Sequence, residues 1–371
     1  MITTEKSGKP TVVIAGASGV VGNAALSHYL DEGWDVIALS RRAPEIASDQ
    51  PFRHVSVDLR DAAATKAALR ELGQVQQLFY AALFELPGLV PGWSDTKQME
   101  TNRVMLVNTV EGLADAGLEH VVLLQGTKAY GVHLKPLRVP AKERQPRVQH
   151  ENFYWLQEDY LKSRAPELGF DWTIFRPQFI FGGVVGAAMN LVPIIGLYGI
   201  LCREYDRPFS FPGGPSFVAE ASDPRLIARA ATWAMTSPSA RNETFNITNG
   251  DVFSWREVWP ACAEALGVEV APDEERSMAE YLPTQEQEWN RLVEKYDLQR
   301  ITLADFLGES HHYADYSFGY EAEDRGSDHG NAPAFLSAIK LREAGFTGVY
   351  DTEDSLPYWI DVLRSRRLLP W

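Results

Sequence analysis

The sequence predicts an α/β protein: a Rossmann-type, doubly wound parallel sheet with a smaller, mostly helical C-terminal lobe. Two observations carry that prediction. Short β-rich runs alternate with helical periodicity through the first half of the chain, and a glycine-spaced turn joins the first run to the first helix. Residues 11–16 (TVVIAG) form the opening strand, as apolar as a strand covered on both faces has to be. Residues 20–31 carry helical periodicity, and 34–40 (WDVIALS) make a second strand. Residues 54–58, 77–82 and 121–125 read as strands three to five, with helices at 62–72 and 98–116 between them. A helix around 154–164 precedes a sixth strand at 171–175 (DWTIF).

After Arg176-Pro177 the alternation breaks. Ser222-Asp223-Pro224 sets a capping residue before a proline at the first helical position, and 244–248 (TFNIT) reads as a returning strand. Ser254-Trp255-Arg256-Glu257 has the spacing of a capping box. The remainder reads as helical and aromatic. The predicted organisation is a dinucleotide-binding domain over 9–178, completed by about 220–250, with 179–219 and 251–371 forming a substrate lobe.

Composition narrows the partners. A chain of 371 residues, 45% hydrophobic and 23% charged, buries enough core to need no disulfide staples. Its two cysteines, Cys202 and Cys262, lack metal-ligand spacing, which predicts a reducing, cytoplasmic setting. A net charge of −15 argues against nucleic acid as a partner. The opening MITTEKSGKP carries charge where a signal peptide has an apolar stretch. Residues 179–202 hold no charged side chain and are long enough to cross a bilayer. Five glycines, Pro193 and Asn190 favour instead a loop and a buried helix lining a pocket, so no membrane partner is expected.

The turn Gly16-Ala17-Ser18-Gly19-Val20-Val21-Gly22 has Gly-x-x-Gly-x-x-Gly spacing, the short-chain dehydrogenase form of the dinucleotide fingerprint. Such glycines let the backbone turn sharply, approach a pyrophosphate and pack helix on sheet, while the helix N-terminus offers amides to the phosphate. The second strand ends at Ser40-Arg41-Arg42, with arginines where an NAD site usually places an acid. NADPH is therefore the expected cofactor. Asp58 and Leu59 follow the third strand, where Asp58 either contacts the adenine or caps a loop.

Short-chain dehydrogenases normally pair a tyrosine with a lysine four residues later, and none of the fourteen tyrosines has that partner. Lys128 instead stands just past the fifth strand, in Gln125-Gly126-Thr127-Lys128-Ala129-Tyr130, at the strand end where doubly wound sheets bind ligands. Tyr154 opens the next helix, within Glu151-Asn152-Phe153-Tyr154-Trp155-Leu156-Gln157-Glu158-Asp159. These two segments resemble those of the progesterone 5β-reductase/iridoid synthase-like family of extended short-chain dehydrogenases/reductases, which supply a catalytic lysine and tyrosine. The likeness extends to Arg176-Pro177-Gln178-Phe179-Ile180-Phe181-Gly182, to 245–255 (FNITNGDVFSW), and to 340–346 (KLREAGF) with Trp359-Ile360-Asp361.

The resemblance implies hydride addition to the β-carbon of an α,β-unsaturated carbonyl, with Tyr154 donating to the enolate oxygen and Lys128 adding positive charge. The expected cofactor contacts are Gly16, Ser18, Gly19, Val20, Gly22, Ser40, Arg41, Arg42, Asp58 and Leu59. They continue with Ala81, Ala82, Gln125, Lys128, Tyr154, Pro177, Phe179, Ile180, Ala188 and Met189. Leu83, Phe84, Phe153 and Tyr198 are expected on the substrate-pocket wall.

Ala129, Trp155 and the run Ala81-Ala82-Leu83 depart from the family pattern, so its steroid or iridoid preference does not carry over. His311-His312 lacks ligand spacing and reads as a surface or lid segment, so no metal is expected. The expected partner is a small-molecule enone, and a homodimer is compatible with the reading. Two other functions stay open: an extended short-chain carbonyl reductase or nucleotide-sugar epimerase, and a non-catalytic NADP-binding regulator.

Overall fold

Alternate residues of each central strand feed opposite faces of one sheet. In β1 (Thr11–Ala15), Val12 and Ile14 enter one apolar cluster while Val13 and Ala15 enter another. The same split divides Val36 and Ala38 from Ile37 and Leu39 in β2 (Asp35–Ser40). This two-sided burial explains the unbroken apolar runs in the sequence. The computed structural model describes residues 8–46, 48–87, 89–320 and 334–371.

The other strands are β3 (Arg53–Ser56), β4 (Gln77–Tyr80), β5 (His120–Leu124), β6 (Asp171–Pro177) and β7 (Glu243–Ile247). All seven are parallel, in the order β3-β2-β1-β4-β5-β6-β7. The order reverses beside β1, and at such a switch point the strand ends splay to leave a crevice.

The helices along the chain are α1 (Val20–Asp31), α2 (Ala62–Arg70), α3 (Thr96–Gly112), α4 (Phe153–Leu168), α5 (Leu191–Glu204), α6 (Pro224–Thr236) and α7 (Trp255–Leu266). Then come α8 (Met278–Tyr281), α9 (Glu286–Tyr296), α10 (Leu303–Leu307), α11 (Ser310–Phe318), α12 (Ile339–Glu343) and α13 (Thr352–Ser365). Helices α1 and α6 cover one face of the sheet, while α2, α3 and α4 cover the other. Asp223 caps α6 and Pro224 opens it, as the sequence predicts. Ser254 stands at the N-cap of α7 without making the side-chain bond that its capping-box spacing predicts.

A second core joins α5, α7 and α13. Phe209 stacks on Trp259 with centroids 4.6 Å apart, and α5 is buried along nearly its whole length. Among the described residues, no helix is long and apolar enough to cross a membrane. The charge-free stretch before and along α5 is apolar because it lies inside the protein.

Candidate active site

A cavity of about 950 Å³ opens over the carboxyl ends of the strands, where they meet the second lobe. Each strand end supplies its wall: Gly16 after β1, Ser40 to Arg42 from β2, Asp58 and Leu59 after β3, Ala81 to Glu85 after β4, and Gln125 to Lys128 after β5. Pro177 ends β6 and continues the wall through Phe179 and Ile180. The far side comes from Val185 to Met189, Leu303, Leu307, His311, Tyr313 and Tyr316. Most expected cofactor contacts therefore border one space.

The glycine turn fits a pyrophosphate. Gly16 has φ +83°, and a Cβ there would lie 2.7 Å from the Ala82 amide nitrogen. Gly19 is the N-cap of α1 and places no side chain over its free amides, so the helix end faces the cavity beside Ser18 and Val20. Gly22 does not border the cavity. It packs against the Gly16 carbonyl, where any Cβ would collide, so its task is joining helix to strand. Asp58 is engaged by Arg60, whose guanidinium bonds it at 2.6 Å and holds the carboxyl down to about 2. Arg41 and Arg42 border the same end of the cavity.

Lys128 and Tyr154 arrive from different elements and share the opposite end. The Tyr154 hydroxyl occupies the space beside Gly126, where a Cβ would stand 3.2 Å from it. Asn152 ties the two elements together: its Oδ1 accepts from the Tyr154 amide at 3.0 Å, capping α4, and its Nδ2 donates to the Lys128 carbonyl at 3.0 Å. Below them runs a buried polar network. Gln125 Nε2 donates to the Tyr154 carbonyl (3.1 Å) and to Glu158 (3.1 Å), while Arg176 donates to both Gln125 (2.9 Å) and Glu158 (3.1 Å). Burial alone would raise the Glu158 carboxyl, but bonds from Lys162 and Arg147 and the charge of Arg176 bring it down to about 2. The turn that carries Tyr154 therefore rests on a satisfied network.

Burial pushes the Lys128 ammonium down to about 8, with Glu85 at 3.8 Å opposing the shift. The same ammonium lies over the Trp93 ring, 3.7 Å from its centroid. Burial, reinforced by the Glu85 charge, raises the Tyr154 phenol, with Arg176 opposing. Tyr154 is held as a protonated donor, whereas a same-helix lysine lowers the tyrosine pKa in the usual pairing.

Three expectations need correcting. Tyr198 packs inside the second core against Phe209, Trp259 and Tyr281, not on the pocket wall. Phe153 lies behind Tyr154, ring centroids 4.4 Å apart, and does not border the cavity. The loop before α5 lines the cavity but α5 itself does not, because its apolar surface faces α7 and α13. Leu83 and Phe84 do border it. The stretch 310–330 around His311-His312, which reads in the sequence as longer than in plant members of the family, is described only in part: His311 borders the cavity, His312 lies 3.9 Å from Glu309, and residues 321–333 fall outside the described residues. Sequence reading missed Glu85 and Trp93, which stand in a stretch without strand or helix periodicity.

Known structures with this architecture include UDP-glucose 4-epimerase from Thermotoga maritima (TM-score 0.65, 15% identity, covering 96% of this chain and 99% of that one). The Thermus thermophilus UDP-glucose 4-epimerase, solved with NAD, gives a TM-score of 0.63 at 18% identity, covering 95% and 99%. Fold and crevice together define a Rossmann-type α/β protein with a cavity over the carboxyl ends of its strands. Within that class the chain belongs to the PRISE family: residues 60–308 match its "PRISE-like Rossmann-fold domain". The 3-oxo-Δ4,5-steroid 5-β-reductase of Arabidopsis thaliana is 30% identical over 388 residues, covering 98% of this chain and 94% of that protein. The (S)-8-oxocitronellyl enol synthase of Catharanthus roseus is 28% identical over 386 residues, with coverages of 98% and 94%. These relatives are oxidoreductase-type enzymes.

Proposed function

We propose that the protein is an NADPH-dependent reductase of activated C=C bonds in α,β-unsaturated carbonyl compounds. The observation that carries this reading is the meeting of Lys128 and Tyr154, from separate elements, in one cavity whose other end is built around a glycine turn and two arginines. The α1 N-terminus and glycine turn would hold the pyrophosphate, and Arg41 and Arg42 would hold the 2′-phosphate. When bound, NADPH supplies the hydride.

The residues act on the substrate carbonyl. Charge that develops on the carbonyl oxygen during reduction would be met by the Tyr154 hydroxyl, which donates to it. An oxyanion donor of this kind contributes about 3 kcal/mol, or two to three decades in rate. The Lys128 ammonium adds positive charge beside it and holds the cofactor ribose. The enolate then takes a proton at its α-carbon from solvent.

The test follows NADPH oxidation with cyclohex-2-enone and with cyclohexanone. The enone is the expected substrate. Oxidation with cyclohexanone alone would reverse the reading in favour of a carbonyl reductase, and tight NADPH binding without turnover on any activated alkene would favour a regulator.

A further inference from the structure

The proposed chemistry makes no use of the buried carboxyl of Glu85 in the cavity wall. Glu85 borders the cavity next to Lys128, with a side chain only 4% exposed. Its position is fixed from α3. Asn102 bonds both the amide (2.9 Å) and the carbonyl (2.8 Å) of Phe84, and Gln98 accepts from the Leu86 amide at 2.7 Å. Gln98 also donates to Glu85 Oε2 at 2.5 Å. Among the described residues the other carboxylate oxygen, Oε1, is buried with no hydrogen-bond partner, and Lys128 Nζ at 3.8 Å is beyond hydrogen-bond range. Among the same residues the Trp93 indole Nε1, on the ring under Lys128, is buried without an acceptor as well.

A carboxylate oxygen without a hydrogen bond is costly to bury even beside a cation, and a ligand donor would complete it. Tyr154 and Lys128 are donors suited to a carbonyl oxygen. Glu85 Oε1 is an acceptor in the same cavity, so the complementary molecule carries a hydrogen-bond donor as well as a carbonyl. We infer that Glu85 accepts a hydrogen bond from a hydroxyl on the substrate, making hydroxylated enones the preferred substrate class. The inference rests on the enone-reductase reading for the identity of the reacting group. Glu85 acts here as a specificity residue. A hydrogen bond to a charged acceptor, set against an analogue that leaves it unpaired, gives about a 10- to 100-fold preference.

The experiment compares 4-hydroxycyclohex-2-enone and 4-hydroxynon-2-enal with their methyl ethers, which keep the oxygen but lose the donor. Binding to the NADP⁺-loaded protein is followed by tryptophan fluorescence and calorimetry, and turnover is followed by NADPH oxidation. At least one hydroxy compound is expected to bind ten-fold or more tightly than its ether. That ratio should fall in Glu85→Gln and collapse to about one in Glu85→Leu, with retained NADP⁺ binding confirming that the variants fold. Equal binding of both members of each pair to the wild-type protein overturns the proposal, as does failure of every compound to bind at millimolar concentration. Equal weakening of hydroxy compound and ether in the variants also overturns it, because it would mean that Glu85 only sets the charge of Lys128. If the binding preference holds while no enone is reduced, the reductase reading fails and the donor-recognition site stands.

Discussion

Tyr154 illustrates how a single environment selects one chemical role. Burial raises its phenol, so the group stays protonated across the working range and is suited to donating rather than to acting as a base. Tyr154→Phe should keep NADPH binding and lose enone reduction by about 100- to 1000-fold, measured as kcat; unchanged turnover would remove Tyr154 from the mechanism. Lys128 has the opposite constraint, because burial brings its ammonium down to about 8. Below that pH it is charged and competent, and as pH rises through about 8 the charge is lost. The value of kcat/KM for NADPH, which reports the free enzyme, should therefore fall about tenfold per pH unit above 8. In Lys128→Arg the falling limb should move beyond pH 10, since a guanidinium keeps its charge. At the far end of the cavity Asp58 is engaged by Arg60, while Arg41 and Arg42 face the space expected for the 2′-phosphate. Replacing both by alanine should weaken NADPH about 10- to 100-fold and leave NADH binding nearly unaltered. Equal loss for both cofactors would show that the arginines do not read the phosphate.

Among the elements, the cap of α4 links stability to chemistry. Asn152 satisfies the first turn of α4 and also fixes the Lys128 carbonyl, so one side chain positions both halves of the site. Asp61 caps α2 in the same manner, accepting from Ala64 at 2.9 Å, but lies away from the cavity. Both Asn152→Ala and Asp61→Ala should cost about 1 kcal/mol in stability. Only Asn152→Ala should also lower kcat, by about tenfold, and parallel activity in the two variants would reduce Asn152 to an ordinary cap. The strands were legible because two-sided burial writes apolar runs, and the glycine turn because its φ and close approach admit no side chain. Lys128 was legible from its place at the end of the fifth strand, but Tyr154 and the pairing of the two came only through family resemblance, since nothing in their spacing says that they meet. Glu85 and Trp93 were missed because their burial is imposed by side chains of α3 and by the opposite wall, not by any local period. Tyr198 was misplaced for a related reason: on a helix apolar all round, sequence does not tell which aromatic faces a cavity and which faces core.

At the scale of the whole molecule, the cavity is the joint property of the parallel sheet and of the apolar core around α5, α7 and α13. Its floor is the strand ends of the sheet, its roof is Leu303, Leu307, Tyr313 and Tyr316, and β7 returns from beyond the second lobe's first helix to pair with β6. The C-terminus crosses back as well: Arg366 donates to Asn23 Oδ1 at 2.8 Å and to the Gly183 carbonyl at 2.7 Å. A ligand seated in this crevice stabilises both lobes together, by RT ln(1 + [L]/Kd). At one hundred times Kd that is about 2.7 kcal/mol. A chain of 371 residues has an unfolding entropy of roughly 0.8 kcal/mol/K near its midpoint, so NADP⁺ should raise Tm by about 3–4 °C. NAD⁺ at the same concentration should raise it by less, because it lacks the 2′-phosphate proposed to bind Arg41 and Arg42. Calorimetry should show one transition that moves as a whole. Two transitions, of which only the first responds to NADP⁺, would mean that the lobes unfold independently and that the roof contributes nothing to holding the cofactor.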